Sequence, residues 1–207
     1  MSGNAVVHVV DDDEALRDSL SFLLSSAGLD ARSYDSAAAF LKNAPKPISG
    51  CVVTDVRMAG MSGIELLREL KSVVPTLPVI VITGHGDIPL AVEAMKAGAI
   101  DFIEKPFDDD TLLASVRRAV GQHEKNAQRE ADVAQIHSRL ALLSARERQV
   151  LEGLVAGHPN KVIAFDLGIS PRTVEIYRAN VMTKMEANSL SELVRMTLTA
   201  GALRPDA

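Results

Sequence analysis

The chain has 207 residues, 47% of them hydrophobic and 24% charged, enough to bury an ordinary core and too apolar for a disordered chain. Its formal charge of −5 is uneven, residues 1–123 summing to −6 and residues 124–207 to +1, which suggests two modules with different partners and does not by charge alone announce nucleic acid. No apolar run reaches the length of a membrane span, no basic-then-apolar leader opens the sequence, and the single cysteine, Cys51, excludes a disulfide framework, so a cytoplasmic protein with no membrane partner is expected.

The first apolar run, Val6 to Val10, delivers Asp11, Asp12 and Asp13. Leu16, Leu20, Leu23, Leu24 and Ala27 then recur at helix spacing, and Gly28 is a stop signal. A short strand around Ala31 to Tyr34 and a helix from Ser36 to about Asn43 follow, and Pro45 and Pro47 break the chain. The β-branched run from Cys51 ends in Asp55, and the loop after it leads into a helix carrying Ile64, Leu67 and Leu70. Val79 to Ile82 ends in Thr83. The permissive backbone Gly84-His85-Gly86 follows, with His85 read as a surface residue, and Asp87 opens a helix with Val92 and Met95 that closes at Gly98. Ile100 to Glu104 leads into Lys105-Pro106, and a last helix carries Leu112, Leu113, Val116 and Val120. Five β-α units of this length predict a doubly wound α/β domain, a five-stranded parallel sheet with helices on both faces.

Ligands of such sheets bind outside the carboxyl ends of the strands. Four of those ends carry acids, a hydroxyl and an amine: Asp11 to Asp13, Asp55, Thr83 and Lys105. The turn after the first strand is acidic rather than glycine-rich, which argues against a nicotinamide or P-loop enzyme. Clustered carboxylates attract a hard divalent cation, and Mg²⁺ suits an all-oxygen set. Asp55 is then the candidate nucleophile for a phosphoryl group, with Thr83 and Lys105 supplying a hydroxyl and a positive charge to its oxygens. The plainer reading of Asp11 to Glu14 alone is a helix N-cap cluster. An aspartyl-phosphate phosphatase would want a second acid two residues after the nucleophile, where Arg57 stands.

Asp11-Asp12, Asp55, Thr83 and Lys105-Pro106 resemble the signature of response-regulator receiver domains, the CheY-like fold, over about residues 4–121. The resemblance implies that a sensor histidine kinase donates phosphate to Asp55 in the presence of Mg²⁺. It implies direct metal ligation by Asp12, Asp55 and the backbone carbonyl of Arg57, with Asp11 acting through water. It implies a switch through Thr83, Lys105 and the aromatic position Phe102. Two departures are Ala59, where proline is usual, and Phe102, where tyrosine is common.

Residues 122–140 are polar and proline-free, with a weak apolar stripe of Val133, Ile136 and Leu140, and read as a helical linker too short for a dimerising coiled coil. His123, His137 and His158 show no metal spacing and read as surface residues.

Four short helices are predicted for residues 141–207. Ser144 to Glu147 is a capping-box pattern, Asn160 opens a second helix that ends at Leu167-Gly168, Ser170-Pro171 opens a third, and Ser189 to Glu192 caps a fourth. The second and third form a helix-turn-helix. On a helical wheel Val174, Tyr177, Val181 and Met185 share the inner face of the third helix. Arg172, Glu175, Ile176, Ala179, Asn180 and Thr183 face outward, a composition suited to base edges in a major groove. Thr173 joins that candidate set, and Arg178, Lys184, Asn160 and Lys161 are placed for phosphates. The rival is a helical domain that docks only protein.

Leu143 to Leu151, Asn160 to Ala164 and Ser170 to Asn180 resemble the LuxR-type helix-turn-helix, and the whole architecture resembles the NarL/FixJ group. That resemblance implies an all-α, four-helix DNA-binding domain. It implies a chain that is monomeric until phosphorylated, then a homodimer on promoter DNA, activating transcription with RNA polymerase. For the FixJ branch it implies a haem oxygen-sensing kinase of the FixL type and nitrogen-fixation genes under low oxygen. Glu175 departs from the lysine common in this helix, and an acid there could accept from a cytosine amino group.

Overall fold

The computed structural model describes residues 6–84 and 88–201, and the expectations for His85, Gly86 and Asp87 lie outside them. The chain divides into two compact units, residues 1–127 and 128–207.

In the first unit, among the described residues, strands β1 (Val6–Val10), β2 (Asp30–Tyr34), β3 (Cys51–Asp55), β4 (Val79–Thr83) and β5 (Asp101–Glu104) form one parallel sheet in the order β2-β1-β3-β4-β5. The helices are α1 (Glu14–Ser26), α2 (Ala37–Asn43), α3 (Gly63–Val73), α4 (Ile88–Lys96) and α5 (Asp109–Ala141). The continuous β-branched runs of β3 and β4 are buried at every residue because both faces are covered. Cys51, Val53, Ile80 and Ile82 face a cluster with Leu20 and Leu24 of α1 and Leu112 and Val116 of α5. Val52, Val79 and Val81 face the other, with Phe40 of α2, Leu66, Leu67 and Leu70 of α3 and Ala94 of α4. Burial pushes the Cys51 thiol up to about 12. His8 is buried on β1 between the Tyr34 hydroxyl and the Ser49 carbonyl, both at 3.2 Å.

The helical periodicity of α4 is as the sequence predicts, but its apolar residues do not all turn inward. Ala94 is buried, whereas Ile88, Val92 and Met95 are 80%, 45% and 50% exposed.

The helix α5 is continuous from Asp109 to Ala141, and the division between the units falls within it, inside the stretch that sequence assigns to a linker. Ile136 and Leu140, the weak stripe of that stretch, are buried in the core of the second unit. After α5 the described residues form α6 (Ala145–Val155), α7 (Asn160–Leu167), α8 (Pro171–Met185) and α9 (Leu190–Thr199) around Val150, Leu151, Leu154, Ile163, Val174, Val181, Met185 and Leu193. His137 and His158 are exposed and His123 is half-buried.

Candidate functional site

The sheet order places the chain's change of winding direction between β1 and β3, where a doubly wound sheet opens a crevice at its carboxyl edge. Val10 is in register with Thr54, so the next residues along, Asp11 and Asp55, emerge side by side. Thr83 lies in register with Glu104, and Lys105 follows immediately. Asp11, Asp55 and Thr83 are all buried, which no surface cap cluster would be.

The Lys105 ammonium bridges the two carboxylates, donating to Asp55 Oδ1 at 2.6 Å and to Asp11 Oδ2 at 3.2 Å. Burial works against that ammonium, but the hydrogen bonds and attraction of Asp55 and Asp11 outweigh it and hold its pKa above the usual lysine range. Burial pushes the Asp11 carboxyl upward, against the hydrogen bond from the Asp13 backbone N–H and the pull of Lys105. The second oxygen of Asp55, Oδ2, accepts from the Arg57 backbone N–H at 2.6 Å.

The three consecutive acids have separate tasks. Asp13 caps α1, accepting from the Leu16 N–H at 3.2 Å. Asp12 is exposed, and its carboxylate accepts from the Ala59 N–H at 3.3 Å. Asp11 alone reaches Lys105. The structure thus joins Asp11, Asp55 and Lys105, with Thr83 at the neighbouring strand end. It does not draw Asp12 into a three-carboxylate cage; among the described residues no group of three or more Asp, Glu, His or Cys side chains is set to hold a metal ion. Phe102 is half-buried against the cluster of Leu66 and Leu67.

Two residues that sequence reading passes over shape this site. Arg17 of α1 donates to the Asp11 carbonyl at 2.8 Å and fixes the turn that carries the acids. Gly63, at the start of α3, lies so close to β3 that a Cβ there would stand 2.0 Å from the Asp55 carbonyl oxygen. Glycine in the first turn after the Ser62 cap, where a side chain is ordinarily tolerated, was the available signal for the second.

In the second unit, Gly168 ends α7 in the left-handed conformation (φ 66°), and Ser170 caps α8 by accepting from the Thr173 N–H at 3.1 Å. Val174, Val181 and Met185 are fully buried and Tyr177 is half-buried. Arg172, Glu175, Ile176, Ala179, Asn180 and Thr183 are exposed. Thr173 is half-buried, its hydroxyl paired with Ser170 at 2.8 Å. Asn160, Lys161, Glu175 and Arg178 line one open recess beside the start of α7.

Among the described residues Lys184, expected at phosphates, is the one member of that set paired within its own unit. Its ammonium donates to Glu147 Oε2 at 2.7 Å and to the Leu142 carbonyl at 3.2 Å, so it serves the junction of α5, α6 and α8. Glu147 also completes the capping box, its Oε2 accepting from the Ser144 N–H at 2.7 Å. Lys184 first, and then the Ser144 N–H, lower the Glu147 pKa to about 2. A carboxylate depressed in the folded state stabilises fully above its ordinary value and loses that contribution as pH falls through the folded one. Acid titration followed by amide-resolved NMR is therefore expected to show the second unit weakening as pH falls from about 4.5 towards 2, and Glu147→Gln to flatten that dependence. An identical acid profile in the variant would refute the assignment.

No helix among the described residues is long and apolar enough to cross a membrane. Residues 7–117 match the response regulator receiver domain family, and residues 141–197 match the luxR family of bacterial regulatory proteins. The transcriptional regulatory protein FixJ of Bradyrhizobium diazoefficiens is 57% identical over 98% of this chain and 99% of its own length. FixJ of Azorhizobium caulinodans is 59% identical over 97% and 95%. The solved structure of the response regulator StyR superposes with a TM-score of 0.84 at 40% identity, covering 95% of this chain and 99% of that one. These relatives are regulators rather than classical enzymes. With a receiver fold at one end, a helix-turn-helix at the other and such likeness along nearly the whole length, the chain belongs to the FixJ-like response regulators, which join a receiver domain to a LuxR-type DNA-binding domain.

Proposed function

We propose that Asp55 accepts a phosphoryl group from a sensor histidine kinase, and that the product dimerises and binds promoter DNA through α8 to activate transcription. The observation that carries this reading is the Lys105 bridge: a buried Asp55 carboxylate beside a second acid and a fixed ammonium, at the crevice of the sheet. The Asp55 carboxylate forms the new O–P bond, the P–N bond to the kinase histidine breaks, and that electron pair returns to the imidazole. Lys105 and the Thr83 hydroxyl then meet the phosphoryl oxygens. Receiver domains bind Mg²⁺ at this place, and the donors here fit an ion that takes one or two carboxylates and keeps its waters. Asp12, Asp55 and the Arg57 carbonyl would hold it, with Asp11 through water; bound there, it offsets charge on the transferring oxygens.

Movement of Thr83 towards phosphate would reshape α4 and the Phe102 ring. The exposed stripe of Ile88, Val92 and Met95 on α4 supports a dimer face there. On DNA, Arg172, Thr173, Glu175, Ile176 and Ala179 of α8 would face base edges, and Asn160, Lys161 and Arg178 would meet phosphates. Residues 122–135 would form the linker proper, the rest of α5 belonging to the second domain. The FixJ likeness supports a FixL-like oxygen-sensing kinase, RNA polymerase contact, a cytoplasmic setting and nitrogen-fixation targets.

The test is sedimentation and DNA binding with and without a small phosphodonor and Mg²⁺. Monomer should become dimer, DNA binding should tighten and fall steeply with salt, and Arg178→Ala should reduce the salt slope by about 1. No change in association or affinity with phosphodonor would refute the reading. Binding insensitive to salt would favour protein docking instead.

A further inference from the structure

The recognition helix α8 is held at its C-terminal end by the last turn of α5. The Arg139 guanidinium donates to the Met185 carbonyl at 3.2 Å and pairs with the Glu186 carboxylate. Arg148 of α6 donates to the Leu140 carbonyl at 3.0 Å, and Lys184 to that of Leu142 at 3.2 Å. Carbonyls left over at the ends of two helices are thus taken by three cationic side chains, the charge sign that a helix C-terminus favours. Arg139 is the better enclosed partner of its pair, its side chain 18% exposed against 69% for Glu186.

Backbone geometry adds an independent observation. Glu186 is the only non-glycine residue with positive φ among the described residues, at 53°. Helices commonly stop in this conformation on glycine, which has no Cβ to strain, and α7 of this chain does so at Gly168. A glycine at 186 would ease the backbone and would leave Arg139 without its carboxylate. The chain keeps the strained residue at the point where α5 grips α8, which directs attention to the grip.

We infer that Arg139 and Glu186 are positioning residues that fix α8 on α5, and that through them phosphorylation is converted into tighter DNA binding. This rests on the phosphorylation-dependent DNA binding proposed above. The helix α5 begins in the first unit at Asp109 and runs unbroken to Ala141, so the element that emerges from the receiver is the one that grips α8. Dimerisation raises DNA affinity only as far as the second recognition helix is presented pre-organised to its half-site. A loosened grip lowers that gain without touching the phosphoacceptor site or any base-facing side chain.

The experiment uses the full chain, acetyl phosphate with Mg²⁺, and a duplex enriched by the phosphorylated wild-type chain from a random-sequence pool. The readout is the ratio of DNA affinities with and without phosphodonor, alongside dimer content by sedimentation and thermal unfolding. Glu186→Gly is expected to unfold no earlier than wild type, to dimerise equally and to keep its affinity without phosphodonor, while the ratio falls about fivefold. Arg139→Ala should lower the ratio in the same way, and Arg139→Lys, which can still reach the Met185 carbonyl, should restore part of it. A purely structural role would weaken every half-site contact, entering once without phosphodonor and twice with it, so the ratio would fall only alongside an equal fall in the unphosphorylated affinity, and that result in Glu186→Gly would overturn the inference. A wild-type ratio of one would overturn the regulatory reading itself, a distinguishable failure.

Discussion

Asp55→Asn is expected to abolish both phosphodonor-induced dimerisation and the tightening of DNA binding that follows it. The amide is nearly isosteric and can still accept the Arg57 N–H that now reaches Oδ2 at 2.6 Å, so the turn after β3 should hold. What is lost is the charge that the proposed nucleophile needs, and one of the two carboxylates that share the Lys105 ammonium. Asp11 remains as the partner of Lys105, so the half-buried cation is not stranded and the resting fold should persist. Against a wild-type gain of about a hundredfold from linking two half-site contacts, the variant should show a gain of one. Sedimentation with phosphodonor and Mg²⁺ checks it directly, and a variant that still dimerises would locate the acceptor elsewhere.

Gly63→Ala should be the most damaging small substitution near the site. The new Cβ would stand 2.0 Å from the Asp55 carbonyl oxygen, 2.9 Å from its carbon and 3.0 Å from Thr54 Oγ1, and the first two are backbone atoms that cannot swing aside. The Gly63 N–H also donates to the Val56 carbonyl at 3.0 Å, tying the start of α3 to the loop that follows Asp55. Either α3 retreats from the sheet or the peptide carrying Asp55 turns. We expect a loss of about 3 kcal/mol in the first unit, the upper end for overpacking because a backbone atom is met. Phosphorylation should slow as well, since a displaced carboxylate no longer meets Lys105 in place. Chemical denaturation and the rate of phosphodonor-driven dimerisation measure the two effects. Wild-type stability in the variant would mean that the close approach relaxes at no cost.

The strand ends were legible because burial on both faces forces unbroken apolar runs, so a charged residue closing such a run marks its end. Asp11, Asp55, Thr83 and Lys105 therefore fall at one edge on sequence alone. Caps were legible for a similar local reason: the Ser144 and Glu147 pattern closes within a single turn. Facing was harder. Periodicity establishes that α4 is a helix, but Ile88, Val92 and Met95 satisfy the same spacing pointing outward as inward. Distant pairings left no local trace, as with Lys184 and Glu147, 37 positions apart. Nor could three identical acids in a row announce that one would cap a helix, one lie open and one meet a lysine. Ile136 and Leu140 looked weak because only the end of a long polar helix touches the second core.

The deeply enclosed thiol of Cys51 has a practical consequence for spectroscopy. Maleimides, iodoacetamides and nitroxide reagents attack thiolate, and a thiol raised to about 12 inside a strand shielded by helices on both faces offers almost none at neutral pH. Since it is the only cysteine in the chain, the natural protein already serves as an unreactive background. A cysteine introduced at an exposed position of α4 or α9 would take a dye or spin label by itself, so distances between the copies of the proposed dimer could be read without first altering the core.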